Sequence, residues 1–234
     1  MPSKRFEKAA ALVDRKRAYT VDEAIATLQQ FPRTKFNESV MLSVSLTIDP
    51  KKTDQVIRGT VTLPHGTGKV RRVAVFCKGE QERLAKEAGA DAVGAADLIE
   101  KIQGGWMEFD VTVATPDLMR DVSKLGKILG PRGLMPNPKA GTVTDDVAKA
   151  IKDVKQGKVE FKMDKLANIH FIIGKVSFTP QQLAENAQVA IEAIVRARPA
   201  SVKGRMIRHL GLSSTMSPGI PLNTDGLETA AQTE

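Results

Sequence analysis

The sequence predicts a protein of mixed α and β structure with two domains, in which an α/β domain is inserted into an α+β domain built from both chain ends. Period-two strand patterns lie on either side of the middle of the chain. The middle itself follows a β-α-β-α-β order, which is typical of a small parallel sheet with flanking helices. The outer domain would therefore combine residues 1–66 and 158–234, and the inserted domain would span residues 67–157.

The outer domain is predicted from alternating strands and two capped helices. Every second residue of 39–48 is apolar, so one face of this strand should be buried and the other should meet water or a ligand. Thr20 and Glu23 have capping-box spacing before a helix, and Thr179 and Gln182 repeat that pattern before another. The remaining strands are expected at residues 58–63, 159–162, 169–178 and 204–214.

The inserted domain is predicted from short apolar runs separated by helical segments. Residues 73–77 are continuously apolar, as in a strand that is covered on both faces. Helices are expected at residues 81–88 and 96–102, and strands at 91–93 and 111–114. The Gly and Pro residues of Gly126 to Gly141 favour a loop without regular structure. A last helix is expected to run from near Thr144 to Gly157.

Composition favours a polyanionic partner. The 234 residues include 35 Lys and Arg against 27 Asp and Glu, a net charge of +8. Residues 1–66 and 158–221 hold 20 of these cations and 11 of the acids, whereas residues 67–157 hold 15 and 13. The surface that faces the polyanion should therefore lie mainly on the outer domain. Aromatic residues make up only 4%, which counts against recognition by rows of stacked bases.

Several classes of protein are not supported by the sequence. Cys77 is the only cysteine, and the three histidines lack the spacing of metal ligands, so no disulfide framework, metal or cofactor is expected. The N-terminus has no apolar signal core, and no apolar run approaches the ~20 residues of a membrane helix. Since no nucleophile signature is present either, we expect a cytoplasmic protein without catalytic residues.

Two Gly-rich segments leave a nucleotide-dependent enzyme as the rival interpretation. Gly66-Thr67-Gly68-Lys69 departs from a phosphate-binding loop, because Leu63 stands where the first Gly belongs and Val70 follows the lysine. The first central strand is followed by Cys77-Lys78-Gly79-Glu80 and not by a dinucleotide fingerprint. The loop from Gly126 to Gly141 remains open between two roles, a structural loop and a phosphate cradle that uses Lys127, Arg132 and Lys139.

Two further segments each allow a structural and a binding role. Phe36 would pack on a ribose or base while Lys35 meets phosphate, or it would be the first core residue of the following strand. The small polar residues from Ser213 to Gly219 would let an RNA backbone approach closely, or they would form an ordinary turn.

Together these segments carry a resemblance to a known family. The matching stretches are Thr34-Lys35-Phe36, Arg58-Gly59-Thr60-Val61, Leu63-Pro64-His65-Gly66-Thr67-Gly68-Lys69, Leu129-Gly130-Pro131-Arg132-Gly133-Leu134-Met135-Pro136-Asn137-Pro138-Lys139, Gly141-Thr142-Val143, Asp164-Lys165, Ile169-His170, Gly174-Lys175 and Ser214-Thr215-Met216. They occur in order over about residues 4–219, and the chain therefore resembles the bacterial large-subunit ribosomal protein L1 family.

The resemblance implies both a fold and a function. It implies a discontinuous, split β-α-β RNA-binding domain and an inserted, small Rossmann-like three-layer α/β domain without a cofactor. It also implies a non-enzymatic constituent of the large ribosomal subunit that binds rRNA and forms the mobile stalk at the tRNA exit site. The implied partners are the rRNA stalk, exit-site tRNA and the leader of its own mRNA, whose translation it would repress. Outside the ribosome it would be a monomer. A pure translational repressor is a third interpretation that the sequence does not separate from a ribosomal role.

The resemblance also moves two segments from structural to interfacial roles. The RNA-binding residues that it implies are Lys35, Phe36, Ser39, Arg58, Lys165, Ser214, Thr215, Met216 and Ser217. Arg58 and Lys165 would contact phosphate. The chain departs from the family pattern at Ser217, where Gly is usual, and after Asp164-Lys165, where a nearby Gly is replaced by Leu166-Ala167-Asn168.

Overall fold

The computed structural model describes residues 3–50, 52, 55–138, 141–199, 201–202, 204–225 and 227. The chain divides into two compact units, Met1–Gly68 with Val159–Glu234 and Lys69–Lys158. In chain order, the elements are α1 (Lys4–Ala11), α2 (Val21–Gln29), β1 (Ser39–Leu46), β2 (Arg58–Thr62), β3 (Val73–Phe76), α3 (Glu80–Glu87), β4 (Ala92–Gly94), α4 (Ala96–Gln103), β5 (Val111–Ala114), α5 (Met119–Val122), α6 (Gly126–Leu129), α7 (Val147–Lys155), β6 (Lys158–Lys162), β7 (Asn168–Lys175), α8 (Pro180–Arg196), β8 (Ile207–Ser214) and β9 (Ile220–Leu222).

The first unit is built on an antiparallel sheet in the order β7-β1-β8-β9, beside a two-stranded sheet of β2 and β6. The alternation of β1 follows the prediction, since Val40, Leu42, Val44 and Leu46 are buried while the residues between them are half-exposed. Helices α2 and α8 pack on the buried face. Both predicted capping boxes are present, at Thr20 with Glu23 and at Thr179 with Gln182. The other face of the sheet remains open.

The second unit is a parallel sheet in the order β4-β3-β5, as the β-α-β-α-β pattern predicts. Strand β3 is fully buried because apolar clusters cover both faces of the sheet. Ala74 and Phe76 belong to the cluster that includes Leu98 of α4, whereas Val73 and Val75 belong to the cluster on the α7 side. Cys77 is completely buried, and burial raises the pKa of its thiol to about 11, so it is an inert core residue.

Some predicted boundaries are wrong. The segment from Gly126 does not begin as an irregular loop, because α6 continues a run of helical turns that starts at Pro116. Helix α7 begins at Val147 and not near Thr144, since the Asp146 carboxylate accepts the Lys149 N–H at 3.0 Å and caps it. Strand β7 ends at Lys175, three residues early, and β8 begins at Ile207, three residues late.

Helices α1 and α5 and strand β9 were also not anticipated from the sequence. Helix α1 is capped by Ser3, whose hydroxyl accepts the Phe6 N–H, and β9 is a three-residue strand that pairs with β8. Strand β9 is too short to show a clear period. Lys139 and most of the polar tail from Asn223 to Glu234 lie outside the described residues.

Candidate nucleic-acid interface

The open face of the four-stranded sheet carries small and hydrogen-bonding side chains. Ser43 is paired with His170 on one neighbouring strand and Gly211 on the other, and the Ser43 hydroxyl lies 3.3 Å from His170 Nδ1. The next row places Ser45 between Asn168 and His209. A depression of about 410 Å³ lies over these rows, with Arg15 at its rim. The face therefore combines hydroxyls, imidazoles and a guanidinium, and the neighbouring row adds Met41 paired with Ile172, which is 44% exposed.

One end of this face is closed by a hydrogen-bonded corner. The Lys175 ammonium donates to the Ser39 hydroxyl at 2.7 Å. The Ser39 N–H donates to the Thr215 hydroxyl at 3.1 Å, and the Thr215 N–H donates to the Ser39 carbonyl at 3.1 Å. These bonds fix the start of β1 against the segment that follows β8. The structure thus brings two predicted site residues into direct contact, although they are distant in sequence.

A buried carboxylate organises the turn that follows β8. Glu38 is only 6% exposed, and its carboxylate accepts the Ser214 hydroxyl and, at 3.2 Å, the Met216 N–H. Arg5 lies 3.4 Å from the same carboxylate and donates to the Met216 carbonyl at 3.0 Å. Burial alone would raise the Glu38 pKa, but the hydrogen bonds of Ser214, Thr34 and Met216 and the Arg5 charge together lower it. Glu38 is therefore ionised, and its carboxylate holds Ser214 and Met216 in the turn.

Two large apolar side chains stand exposed beside this turn. Phe36 is 54% exposed and Met216 is 51% exposed, and both line a cavity of about 180 Å³ next to Glu38. The interpretation of Phe36 as the first core residue of β1 is therefore wrong, because the core of that strand begins at Val40. Exposed aromatic and thioether groups on a rigid turn are suited to contact with a flat or apolar partner surface.

Comparisons with known proteins agree with the pattern of motifs. A model of the Ribosomal protein L1p/L10e family matches residues 28–218. The chain belongs to this family.

Curated relatives match over nearly the whole chain. It is 55% identical to the "Large ribosomal subunit protein uL1" of Kosmotoga olearia over 94% of its own length and 96% of that relative. It is 51% identical to the protein of the same name in Thermobifida fusca, over 98% of both chains. The protein of that name in Cutibacterium acnes is 53% identical over 94% of this chain and 95% of its own.

Family membership confirms the expectations of a ribosomal, non-enzymatic protein of the large subunit, located on the cytoplasmic ribosome. In the described part of the chain, no three His, Cys, Asp or Glu side chains are grouped so that they could hold a metal ion. Every described helix falls short of the length and apolarity that crossing a bilayer requires.

The two departures from the family pattern are accommodated differently. The Ser217 hydroxyl accepts the Ser214 N–H at 2.8 Å and donates to the Pro218 carbonyl at 3.1 Å, so this side chain closes the turn. Ala167, in contrast, has φ of 61°, a left-handed conformation that favours glycine. Its turn is held by Asp164, whose carboxylate accepts the Asn168 N–H at 2.7 Å and the Leu166 N–H at 2.8 Å.

Two predicted phosphate contacts stand apart from the corner. Arg58 lies on β2, in the smaller sheet, and its guanidinium pairs with Glu160 at 2.5 Å. Lys165 is exposed in the turn held by Asp164, and Lys35 is exposed next to Phe36. In the described contacts, none of these three cations shares a hydrogen bond with the network around Ser39 and Thr215.

Sequence reasoning missed three residues of this network, which are Arg5, Glu38 and Lys175. Arg5 belongs to an unanticipated helix, and its contacts with Glu38 and Met216 span 33 and 211 positions. Glu38 directly precedes the amphipathic strand β1 in the sequence. Its burial, however, depends on the return of the chain after β8.

Proposed function

We propose that the chain binds large-subunit rRNA through the corner of Ser39 and Thr215 and the exposed pair Phe36 and Met216. The observation that carries this proposal is a rigid turn that presents apolar groups and hydroxyls while a buried acid holds it from behind. The RNA-binding domain would be discontinuous, residues 1–66 with 158–234. The Rossmann-like domain, residues 67–157, would be inserted into it.

Recognition on this surface would depend on RNA shape more than on base identity. The open sheet face offers small side chains and hydroxyls, which suit close contacts to ribose 2′-hydroxyls and phosphates. Phe36 supplies a flat ring for one base or sugar, since aromatic residues are too few for a longer stack. Lys35, Arg58 and Lys165 would neutralise phosphates around this centre.

The wider role follows from family membership. The protein would form the mobile stalk of the large subunit with its rRNA, contact tRNA at the exit site, and bind its own mRNA leader as a repressor. The mRNA would have to present the same shape to the same turn, so the two RNAs should compete. Outside the ribosome, the protein is expected to be a monomer.

The decisive test replaces one hydroxyl of the corner. Thr215→Val keeps the size of the side chain but removes the acceptor of the Ser39 N–H. We expect weaker binding of the rRNA stalk fragment by roughly 1–3 kcal/mol, because bound RNA would cover the corner and leave the Ser39 N–H without a partner. A filter-binding titration with tRNA as competitor measures it.

Thr215→Ser is the matched control, because it retains the hydroxyl and should bind like the wild type. Wild-type affinity in Thr215→Val would remove this residue from the site. Binding of the wild type no better than to tRNA would overturn the proposed rRNA recognition itself.

A further inference from the structure

The helical segment from Pro116 to Leu129 in the second unit has one buried and one cationic face. Leu118, Val122, Leu125 and Leu129 recur at helical spacing and are at most 3% exposed within the apolar cluster. Arg120, Lys124 and Lys127 recur at the same spacing on the exposed side. Arg132 follows in the exposed tip Gly130–Gly133. We call Arg120, Lys124, Lys127 and Arg132 the basic ridge.

The ridge concentrates the positive charge of its unit. Lys69–Lys158 holds 16 Lys and Arg against 13 Asp and Glu, a net charge of +3, and residues 116–133 hold four against two, a net charge of +2. Lys124 pairs with Asp121 at 2.9 Å. That bond, with the nearby charges of Lys78 and Arg120, lowers the Asp121 pKa.

Two cations of the ridge have no acidic partner. Within the described residues, neither Lys127 nor Arg132 forms an ion pair, in contrast to Lys69 and Arg72, which share Asp110, and to Arg83, which pairs with Glu87. Their charges are therefore available to a partner.

The tip that carries Arg132 is held in place at both ends. The Gly133 N–H donates to the Gly130 carbonyl and the Leu134 N–H to the Leu129 carbonyl, each at 3.0 Å. The Thr112 hydroxyl donates to the Leu134 carbonyl and ties the tip to β5. Gly133 has φ of 69° and open space where a Cβ would stand. The tip is thus preorganised, and its Gly residues allow close approach.

We infer that the basic ridge is a second RNA-contact surface, which binds the phosphate backbone independently of the corner around Thr215. This inference rests on the proposed RNA-binding function. The exposed face of the ridge has no large apolar or aromatic side chain, and such anchors would be needed for a protein hot spot or a membrane surface. Arg120 to Lys127 spans about 10 Å along a helix, which suits two or three consecutive phosphates.

The test uses the full chain with Lys127→Gln and Arg132→Gln together. Its matched control is Lys149→Gln with Lys152→Gln, two lysines on the exposed side of α7. The buried side of α7, with Val147 and Ile151, packs on the opposite face of the parallel sheet. Both double variants remove two positive charges, so long-range attraction changes equally. Affinity for the rRNA stalk fragment and for tRNA is titrated between 50 and 200 mM NaCl.

The ridge variant should flatten the log–log salt dependence by about 0.7–0.9 per cation, or up to about 1.8 in all, while the control keeps the wild-type slope. Flattening with one RNA only identifies that RNA as the ligand of the ridge. Unchanged slopes with both RNAs, or equal flattening in the control, would overturn the inference.

Thr215→Val, measured in parallel, separates the two proposals. In one outcome, the wild type prefers the rRNA fragment, Thr215→Val loses that preference, and the ridge variant behaves as wild type. This outcome overturns the inference about the ridge and leaves the proposed function standing. If the wild type shows no preference for the rRNA fragment, the proposed function fails. The salt dependence of tRNA binding in the ridge variant then still tests whether the ridge contacts RNA.

Discussion

At the scale of single residues, Glu38 links folding to the candidate interface. Its carboxylate is buried and ionised, and the turn of Ser214 and Met216 depends on it. Because its pKa is lowered in the folded state, it contributes stability above the pKa of the unfolded chain, and this contribution is lost as the pH falls through the folded pKa.

Glu38→Gln tests this linkage. We expect the variant to be less stable than the wild type at neutral pH, by a constant amount down to about pH 5. The difference should then shrink below about pH 4.5, where unfolded glutamates begin to take up protons. Urea unfolding at a series of pH values measures it. A difference that does not change with pH would show that the charge of Glu38 is not what stabilises the turn.

Ala167 is a residue whose backbone favours a different side chain. A left-handed conformation costs an L-residue roughly 1–2 kcal/mol. Burial of the Ala167 methyl group offsets only part of this cost. Ala167→Gly should therefore stabilise the protein by about 0.5–1 kcal/mol, seen as a higher urea midpoint. Ala193→Gly in α8 is the control and should cost about 1 kcal/mol. Destabilisation by Ala167→Gly would contradict the assigned strain.

At the scale of elements, α8 holds the chain segment that follows β2. The Asn186 side chain is completely buried, and its amide donates to the Ile173 carbonyl at 2.7 Å and the Gly66 carbonyl at 3.0 Å. Its oxygen accepts the His65 N–H at 3.2 Å. One helix residue thus joins β7 to residues 65 and 66, close to the point where the chain leaves the first unit.

Asn186→Ala should destabilise the first unit by about 2–4 kcal/mol, because the buried Ile173 carbonyl, the partly buried Gly66 carbonyl and the His65 N–H lose their partner. Chemical denaturation measures the loss. Gln188→Ala is the control, since this amide is exposed on the same helix and should change stability by less than about 0.5 kcal/mol. Equal effects of the two substitutions would show that the buried hydrogen bonds contribute little.

At the scale of the whole molecule, charge and shape act on different properties of RNA binding. Both units are basic, with net charges of +5 for Met1–Gly68 with Val159–Glu234, from 19 cations and 14 acids, and +3 for the other unit. Counterion release makes such attraction dependent on salt, whereas the hydroxyl and apolar contacts of the corner depend on salt much less.

The expected result is that affinity and specificity respond differently to salt. About four phosphate contacts would give a log–log slope near −3 and weaken binding about 60-fold between 50 and 200 mM salt. The preference for the rRNA fragment over tRNA should persist across that range. Competition titrations at both salt concentrations measure it, and a preference that disappears with salt would assign specificity to charge alone.

How far the sequence predicts the site depends on the distance between interacting residues. Local rules located the two capping boxes, the alternation of β1 and the buried run of β3, because each depends on residues a few positions apart. The motifs also established the family. Spacing alone did not decide whether Phe36 is exposed, because it does not distinguish the first core residue of a strand from a residue before it, and only the family resemblance implied an interfacial Phe36.

The sequence by itself determined the element types, the basic character and the family of this protein. Only the tertiary structure decided that Arg5, Glu38 and Met216 form one network, that Ser39 and Thr215 share hydrogen bonds, and that Asn186 binds residues 65 and 66. The physical reason is that local propensity and periodicity are encoded within a few residues. A buried carboxylate, in contrast, is stable only where distant segments bring its donors together.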